Sequence, residues 1–121
     1  MKILALDHAQ LCVDPSQVEA ARRFYCEILG LPEIEKPEAL RSRGGFWLQV
    51  GDRQVHVGVE TGAHPQASKA HLAYAVDDLA AWRKHLQASG CAIEDSVAIP
   101  GINRFELRDP FGNRLEMLER I

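Results

Sequence analysis

The sequence is short of the features that announce whole classes of protein. It has no run of basic residues. Its 14 Lys and Arg are dispersed among 17 Asp and Glu, for a formal charge of -3, so nucleic acid is not an expected partner. No apolar stretch approaches the ~20 residues of a membrane-crossing helix, so no membrane partner is expected. The opening MKILALDH lacks the long apolar region of a secretory signal. Cysteine is scarce and widely spaced, at Cys12, Cys26 and Cys91, with no CxxC pair to hold zinc or run dithiol chemistry. Free thiols in a reducing compartment, the cytoplasm, are the expectation. Within its 121 residues 46% are hydrophobic, enough for one domain with a real core.

What is present is a regular alternation of strand and helix signals. Residues 3–13 alternate as a strand, with Ala9, Leu11 and Val13 on one face and His8, Gln10 and Cys12 on the other. Asp14-Pro15-Ser16 ends it and opens an amphipathic helix over 17–29. There Val18, Ala21, Phe24, Tyr25, Ile28 and Leu29 recur at three- and four-residue steps until Gly30 and Pro32. A short strand at 33–36 and a charged loop, Lys36 to Arg43, follow. Residues 45–50 and 53–60 read as a hairpin turned at Gly51-Asp52. Its second strand sets Val55, Val57 and Val59 against His56, Gly58 and Glu60. After a linker at Thr61 to Lys69 come a strand at 70–77, a helix at 79–89 capped by Asp77-Asp78 and ended by Gly90, and strands at 91–97, 103–108 and 113–119. The turn Asp109-Pro110-Phe111-Gly112-Asn113 feeds the last strand, where Glu116 stands in an otherwise largely apolar segment. A carboxylate there needs a cationic partner. That partner is a metal, or Arg104 or Arg114.

The order strand, helix, three strands occurs twice, which reads as an internal repeat: an α+β chain of two βαβββ modules, at about 1–62 and 68–121. Setting His8 against His71 brings Val13 opposite Val76, and His56 opposite Glu116. Forty-eight residues separate the first pair of functional positions and 45 the second, so a three-residue insertion near Asp14-Pro15-Ser16 reconciles the halves. The first and last strands of each half thus carry His8 and His56, then His71 and Glu116, on the face away from the apolar one.

The segments LDHAQLCV, FYCEILGL, AHLAYAVDDL and DPFGNRLEMLE, in this order over essentially the whole chain, resemble the vicinal oxygen chelate superfamily of glyoxalase I, bleomycin-resistance proteins and extradiol dioxygenases. The resemblance implies a curved mixed sheet built from the tandem modules around a divalent metal (Fe, Mn, Ni, Zn or Co). By position, the metal ligands it implies are His8, His56, His71 and Glu116, with Glu116 and His56 as the catalytic candidates. His8, His71 and Glu116 match the frequent ligand types and form a two-histidine, one-carboxylate set. His56 stands where glyoxalase I and the epimerase carry glutamate or glutamine, so it either ligates, supports the ligands or handles a proton. The resemblance also implies a homodimer in which one subunit gives His8 and His56, and its partner His71 and Glu116. The function it implies is a metal-dependent lyase, isomerase or dioxygenase acting on a small-molecule substrate. The alternative is a metal-free drug-binding protein of the bleomycin-resistance type. Gln10 is a pocket-lining candidate, and Arg41, Arg43 and Arg104 are candidates for holding an anionic substrate. His64 and His85 read as surface residues, and Trp47, Phe46 and Phe105 as core or pocket wall.

Overall fold

A computed structural model describes residues 1–63 and 65–121; His64, read above as a surface residue, lies outside the described residues. The chain divides into two units, Met1–His64 and Pro65–Ile121. Each is a four-stranded mixed sheet with a helix, as the α+β reading expects.

In the first unit, β1 (His8–Val13) runs parallel to β4 (Arg53–Val59), which pairs antiparallel with β3 (Phe46–Val50), and β3 with β2 (Glu33–Ile34). β1 begins at His8 rather than residue 3. Its ladder partner begins at Arg53, directly after the Gly51-Asp52 turn, so residues 3–6 have no strand to pair with. Ile3, Leu4 and Leu6 are exposed. Between β1 and β2 the chain forms α1 (Val18–Arg22), which continues as a wider π-type turn over Arg23–Ile28. The Leu29 N–H reaches back to the Phe24 carbonyl at 2.9 Å. The charged segment expected as a loop coils into a 3₁₀ turn, Glu38–Arg43.

The second unit repeats this order. β5 (His71–Ala75) is parallel to β8 (Arg114–Arg120), β8 antiparallel to β7 (Ile102–Arg108), and β7 to β6 (Ile93–Asp95). α2 (Leu79–Ala88) is capped by Asp78, whose carboxylate accepts the Ala81 N–H at 2.9 Å. The Glu119 carboxylate accepts the Leu79 N–H at 3.3 Å from the strand below. Of the three-residue difference between the halves, two residues fall ahead of α1, where Asp14–Gln17 with its 3₁₀ turn separates Val13 from Val18 while Asp77-Asp78 alone separates Val76 from Leu79, and the third falls within the helical segment that ends at Gly30. α2 instead follows β5 after three residues.

One face of each sheet is apolar and packs on its helix. Val13, Ala21, Phe24, Tyr25, Phe46, Leu48, Val55 and Val57 are buried in the first unit. Leu79, Leu86, Phe105, Leu107, Leu115 and Met117 are buried in the second. A packing device recurs that the sequence repeat does not display. Arg22 lies 4.8 Å over the Phe46 ring and pairs with Glu33 at 2.6 Å, while Arg83 lies 5.0 Å over Phe105 and pairs with Asp95 at 2.5 Å. A helix arginine thus covers the third strand and reaches a carboxylate on the second, in both units. The other face of each sheet carries the candidate functional residues.

Candidate functional site

In the first unit, the hairpin register decides what surrounds His56. A two-residue turn at Gly51-Asp52 pairs Val50 with Arg53 and therefore Trp47 with His56. The two rings stack face to face, with centroids 3.8 Å apart and planes 1° from parallel. On the β1 side, His8 stacks on His56 at 4.2 Å and 18°. His56 is thus sandwiched between His8 and Trp47 and 6% exposed. Burial, and then the neighbouring His8 and Lys36 charges, hold its imidazole below the usual histidine range. Its Nε2 meets the Gln54 Oε1 at 2.9 Å. His8 is open to solvent, and its Nδ1 meets the Asp7 carboxylate at 2.9 Å. An acceptor-only carboxylate takes the hydrogen at Nδ1 and leaves the Nε2 lone pair for another partner. That contact keeps the exposed Asp7 carboxyl below its ordinary value.

His8, His56 and Trp47 line a cleft of about 410 Å³ with Gln10, Lys36, Leu40 and Arg43. Gly58 makes room for Gln10, since a Cβ there would fall 2.4 Å from the Gln10 Nε2. Glu60, one residue beyond the end of β4, is exposed. Cys12, whose Sγ accepts from the Gln10 Nε2 at 3.9 Å, is in no disulfide, nor are Cys26 and Cys91.

In the second unit, His71 and Glu116 meet. The Nε2 of His71 lies 3.2 Å from Glu116 Oε2, and the other oxygen, Oε1, accepts from Arg104 at 3.2 Å. Glu116 is 6% exposed, and its strand register sets it opposite Ala73 on one side and Glu106 on the other. Arg114, the alternative partner for Glu116, pairs with Glu106 at 2.5 Å and pulls that carboxyl below its usual range. Arg104 donates also to the Val97 carbonyl, at 2.9 and 3.1 Å, so its charge is committed. Asp109 is the other buried acid. Its carboxylate is structural, accepting from Phe111 N, Asn113 N and Asn113 Nδ2 at 2.8 to 2.9 Å and closing the turn before β8.

The sequence model of the Glyoxalase/Bleomycin resistance protein/Dioxygenase superfamily matches residues 5–117. The chain belongs to this superfamily. Among solved structures, a protein assigned to the glyoxalase family from Bacillus anthracis is 38% identical over 100% of this chain and 98% of its own, with a TM-score of 0.93. An integron cassette protein from V. cholerae is 26% identical over 98% of this chain and 97% of its own, at a TM-score of 0.72. Lactoylglutathione lyase from Agrobacterium tumefaciens is 21% identical over 98% and 95%, at 0.75, a likeness of fold. No curated protein matches the sequence.

The superfamily implies a divalent metal, and the donors can be tested against it. The His71 Nδ1 lies 2.9 Å from the Lys69 carbonyl, which can only accept. Nδ1 therefore carries the hydrogen, and in the neutral ring Nε2 presents a lone pair to the Glu116 carboxylate at 3.2 Å. Two acceptors at that distance require a cation, either a ring proton or a metal ion. His8, anchored through Nδ1 on Asp7, shows the same polarity. Ligating histidines are oriented in this way, by a carboxylate or carbonyl on the second ring nitrogen. His56 does not fit as a co-ligand of His8 in this arrangement. Nearly parallel stacked rings hold their nitrogen lone pairs in separate planes, which cannot converge on one ion unless a ring turns. Among the described residues, no group of three or more His, Cys, Asp or Glu side chains is gathered to hold an ion.

Proposed function

We propose that the protein is a divalent-metal-dependent enzyme acting on a small molecule, of lyase, isomerase or dioxygenase type, with His8, His71 and Glu116 as the metal ligands. The observation that carries this reading is the His71 Nε2 facing Glu116 Oε2 at 3.2 Å, with Nδ1 committed to the Lys69 carbonyl. A bound ion of this kind supplies Lewis-acid stabilisation to adjacent substrate oxygens. The chain's own residues do the rest. Arg104 holds one Glu116 oxygen and leaves the other for the ion. His56, kept neutral by burial between two rings, is the acid–base group of the cleft. Each module contributes an incomplete set, so the reading requires the donors of two modules, supplied by pairing of subunits in a cytoplasmic homodimer.

The test is metal binding by equilibrium dialysis against Mn, Ni, Zn and Fe(II) with elemental analysis. Glu116→Gln keeps the shape and the hydrogen bond to Arg104 but loses the charge. Its metal affinity is expected to fall at least ~10-fold, with the thermal midpoint kept within a few degrees. Unchanged metal affinity in Glu116→Gln refutes the ligand assignment.

A further inference from the structure

The cleft of the first unit has a positive charge that its own lining does not balance. Its lining includes Lys36 and Arg43 and no carboxylate, in a chain whose formal charge is -3. The other arginines proposed as anion binders are spoken for. Arg41 is paired with Glu35 and donates to the Lys36 carbonyl, and Arg104 is held by Glu116 and Val97. Arg43, two residues on, has no ion pair or side-chain hydrogen bond among the described residues. Lys36 spends one donor on the Gly44 carbonyl at 2.5 Å, and its ammonium has two more.

The cleft in the second unit, about 480 Å³, offers a contrast. There Glu94 and Glu106 accompany Arg108 and Arg114. Arg114 is paired with Glu106, and Arg108 donates to the carbonyls of Pro65, Ser68 and Gly112. Those cations are in use, whereas in the first cleft Arg43 is uncommitted and Lys36 keeps two of its three donors. The positions of Lys36 and Arg43 are built rather than incidental. The segment between them is wound into a 3₁₀ turn and returns through Gly44 and Gly45, both at positive φ. The same lining includes the apolar or aromatic Leu40, Trp47, Val57 and Val59, beside the polar His8, Gln10 and His56.

We propose that this cleft takes the anionic end of the substrate: a small molecule whose carboxylate or phosphonate-like oxyanion sits between Lys36 and Arg43 while its apolar body lies along Leu40 and Trp47. The inference rests on the metal-enzyme reading for calling the ligand a substrate. Guanidinium and ammonium recognise such oxyanions through charge-assisted hydrogen bonds, and partial exclusion of water strengthens them. The same charges make the cleft a poor host for a cationic drug, the occupant that the bleomycin-resistance alternative calls for.

The probe is the fluorescence of Trp47 in a Trp82→Phe background, titrated with benzoate, phenylphosphonate and the neutral isostere benzamide. The expected result is that at least one anion perturbs Trp47 with affinity about tenfold above benzamide. Arg43→Gln is expected to remove that advantage, and Arg53→Gln, outside the cleft, to preserve it. A tighter benzoate identifies a monoanionic carboxylate, and a tighter phenylphosphonate a dianion. The proposal is overturned if neither anion binds at millimolar concentration, or if benzamide binds equally well, or if Arg43→Gln matches its parent. Running the titration on metal-loaded and metal-stripped protein separates the two readings. Anion binding by a protein that takes up no metal sinks the metal assignment alone, and metal uptake without anion binding sinks the cleft alone.

Discussion

Gly45→Ala is the substitution on which the structure speaks most quantitatively. Gly45 carries the chain from the Arg43-Gly44 segment into β3 at φ +77°, and a Cβ there would lie 2.1 Å from the Val57 carbonyl oxygen and 3.1 Å from its carbon. Val57 cannot yield, because it is paired with Leu11 of β1 on one side and Phe46 of β3 on the other. Gly51 is the internal control, also at positive φ (+57°) but with nothing within 4 Å of the added carbon. At Gly51 the cost is conformational, ~1 kcal/mol. At Gly45 the same term is joined by a displacement of more than an ångström against a sheet backbone, an overpacking cost of ~1–3 kcal/mol or above. For a domain of this size, each kcal/mol moves the thermal midpoint by about 3–6 °C. Gly51→Ala should therefore lose a few degrees and Gly45→Ala roughly ten or more. Thermal unfolding followed by circular dichroism reads both. Equal midpoints for the two variants, within ~0.5 kcal/mol, would show that the close approach of Gly45 to β4 is not part of the fold.

Other consequences can be checked alongside. The His56 imidazole is held below its usual 6.5, so the unfolded chain binds that proton more readily. The resulting stability is complete above the unfolded value and is lost as pH falls below 6.5 toward the folded one. Denaturant titrations at pH 7 and pH 5 should show a smaller acid loss in His56→Phe than in the parent, and an equal loss would contradict the burial assigned to His56. Phe105→Ala, at a fully buried position under Arg83, should cost ~3–5 kcal/mol in urea unfolding. Asp109→Ala strands the N–H groups of Phe111 and Asn113 and should cost ~2–4 kcal/mol. Asp109→Asn keeps an oxygen at that place and should cost less, a ranking that the same unfolding curves report.

The faces of the strands were legible from alternation. Val55 and Val57, like Leu115 and Met117, are buried where period-two patterning sets them. The sandwiching of His56 was also within reach, since a two-residue turn at Gly51-Asp52 fixes Trp47 opposite His56, but the register has to be counted through and Trp47 read as a ring partner rather than as wall. The start of β1 was not legible. Ile3, Leu4 and Leu6 carry the apolar composition upstream of His8, and only the length of β4 shows that they have nothing to pair with. The widening of the first helix over Arg23–Ile28 escapes a periodicity argument, because a single wider turn hardly alters which residues face inward. For Glu116 the sequence offered a metal or an arginine as rivals. The structure shows Arg104 on one oxygen and His71 on the other, so the arginine does not exhaust the carboxylate. The division of labour between Arg41 and Arg43 depends on which of them reaches from the 3₁₀ turn back to Glu35, which no spacing rule settles.

The most direct test of the central claim is metal content per chain, by elemental analysis of untagged protein reconstituted with divalent ions and freed of excess. With His8, His71 and Glu116 as ligands, about one tightly held transition-metal ion per chain is expected, reduced to background in Glu116→Gln. Protein that retains no ion after reconstitution under reducing conditions would contradict the account, and would leave the His71–Glu116 contact as an imidazolium–carboxylate pair.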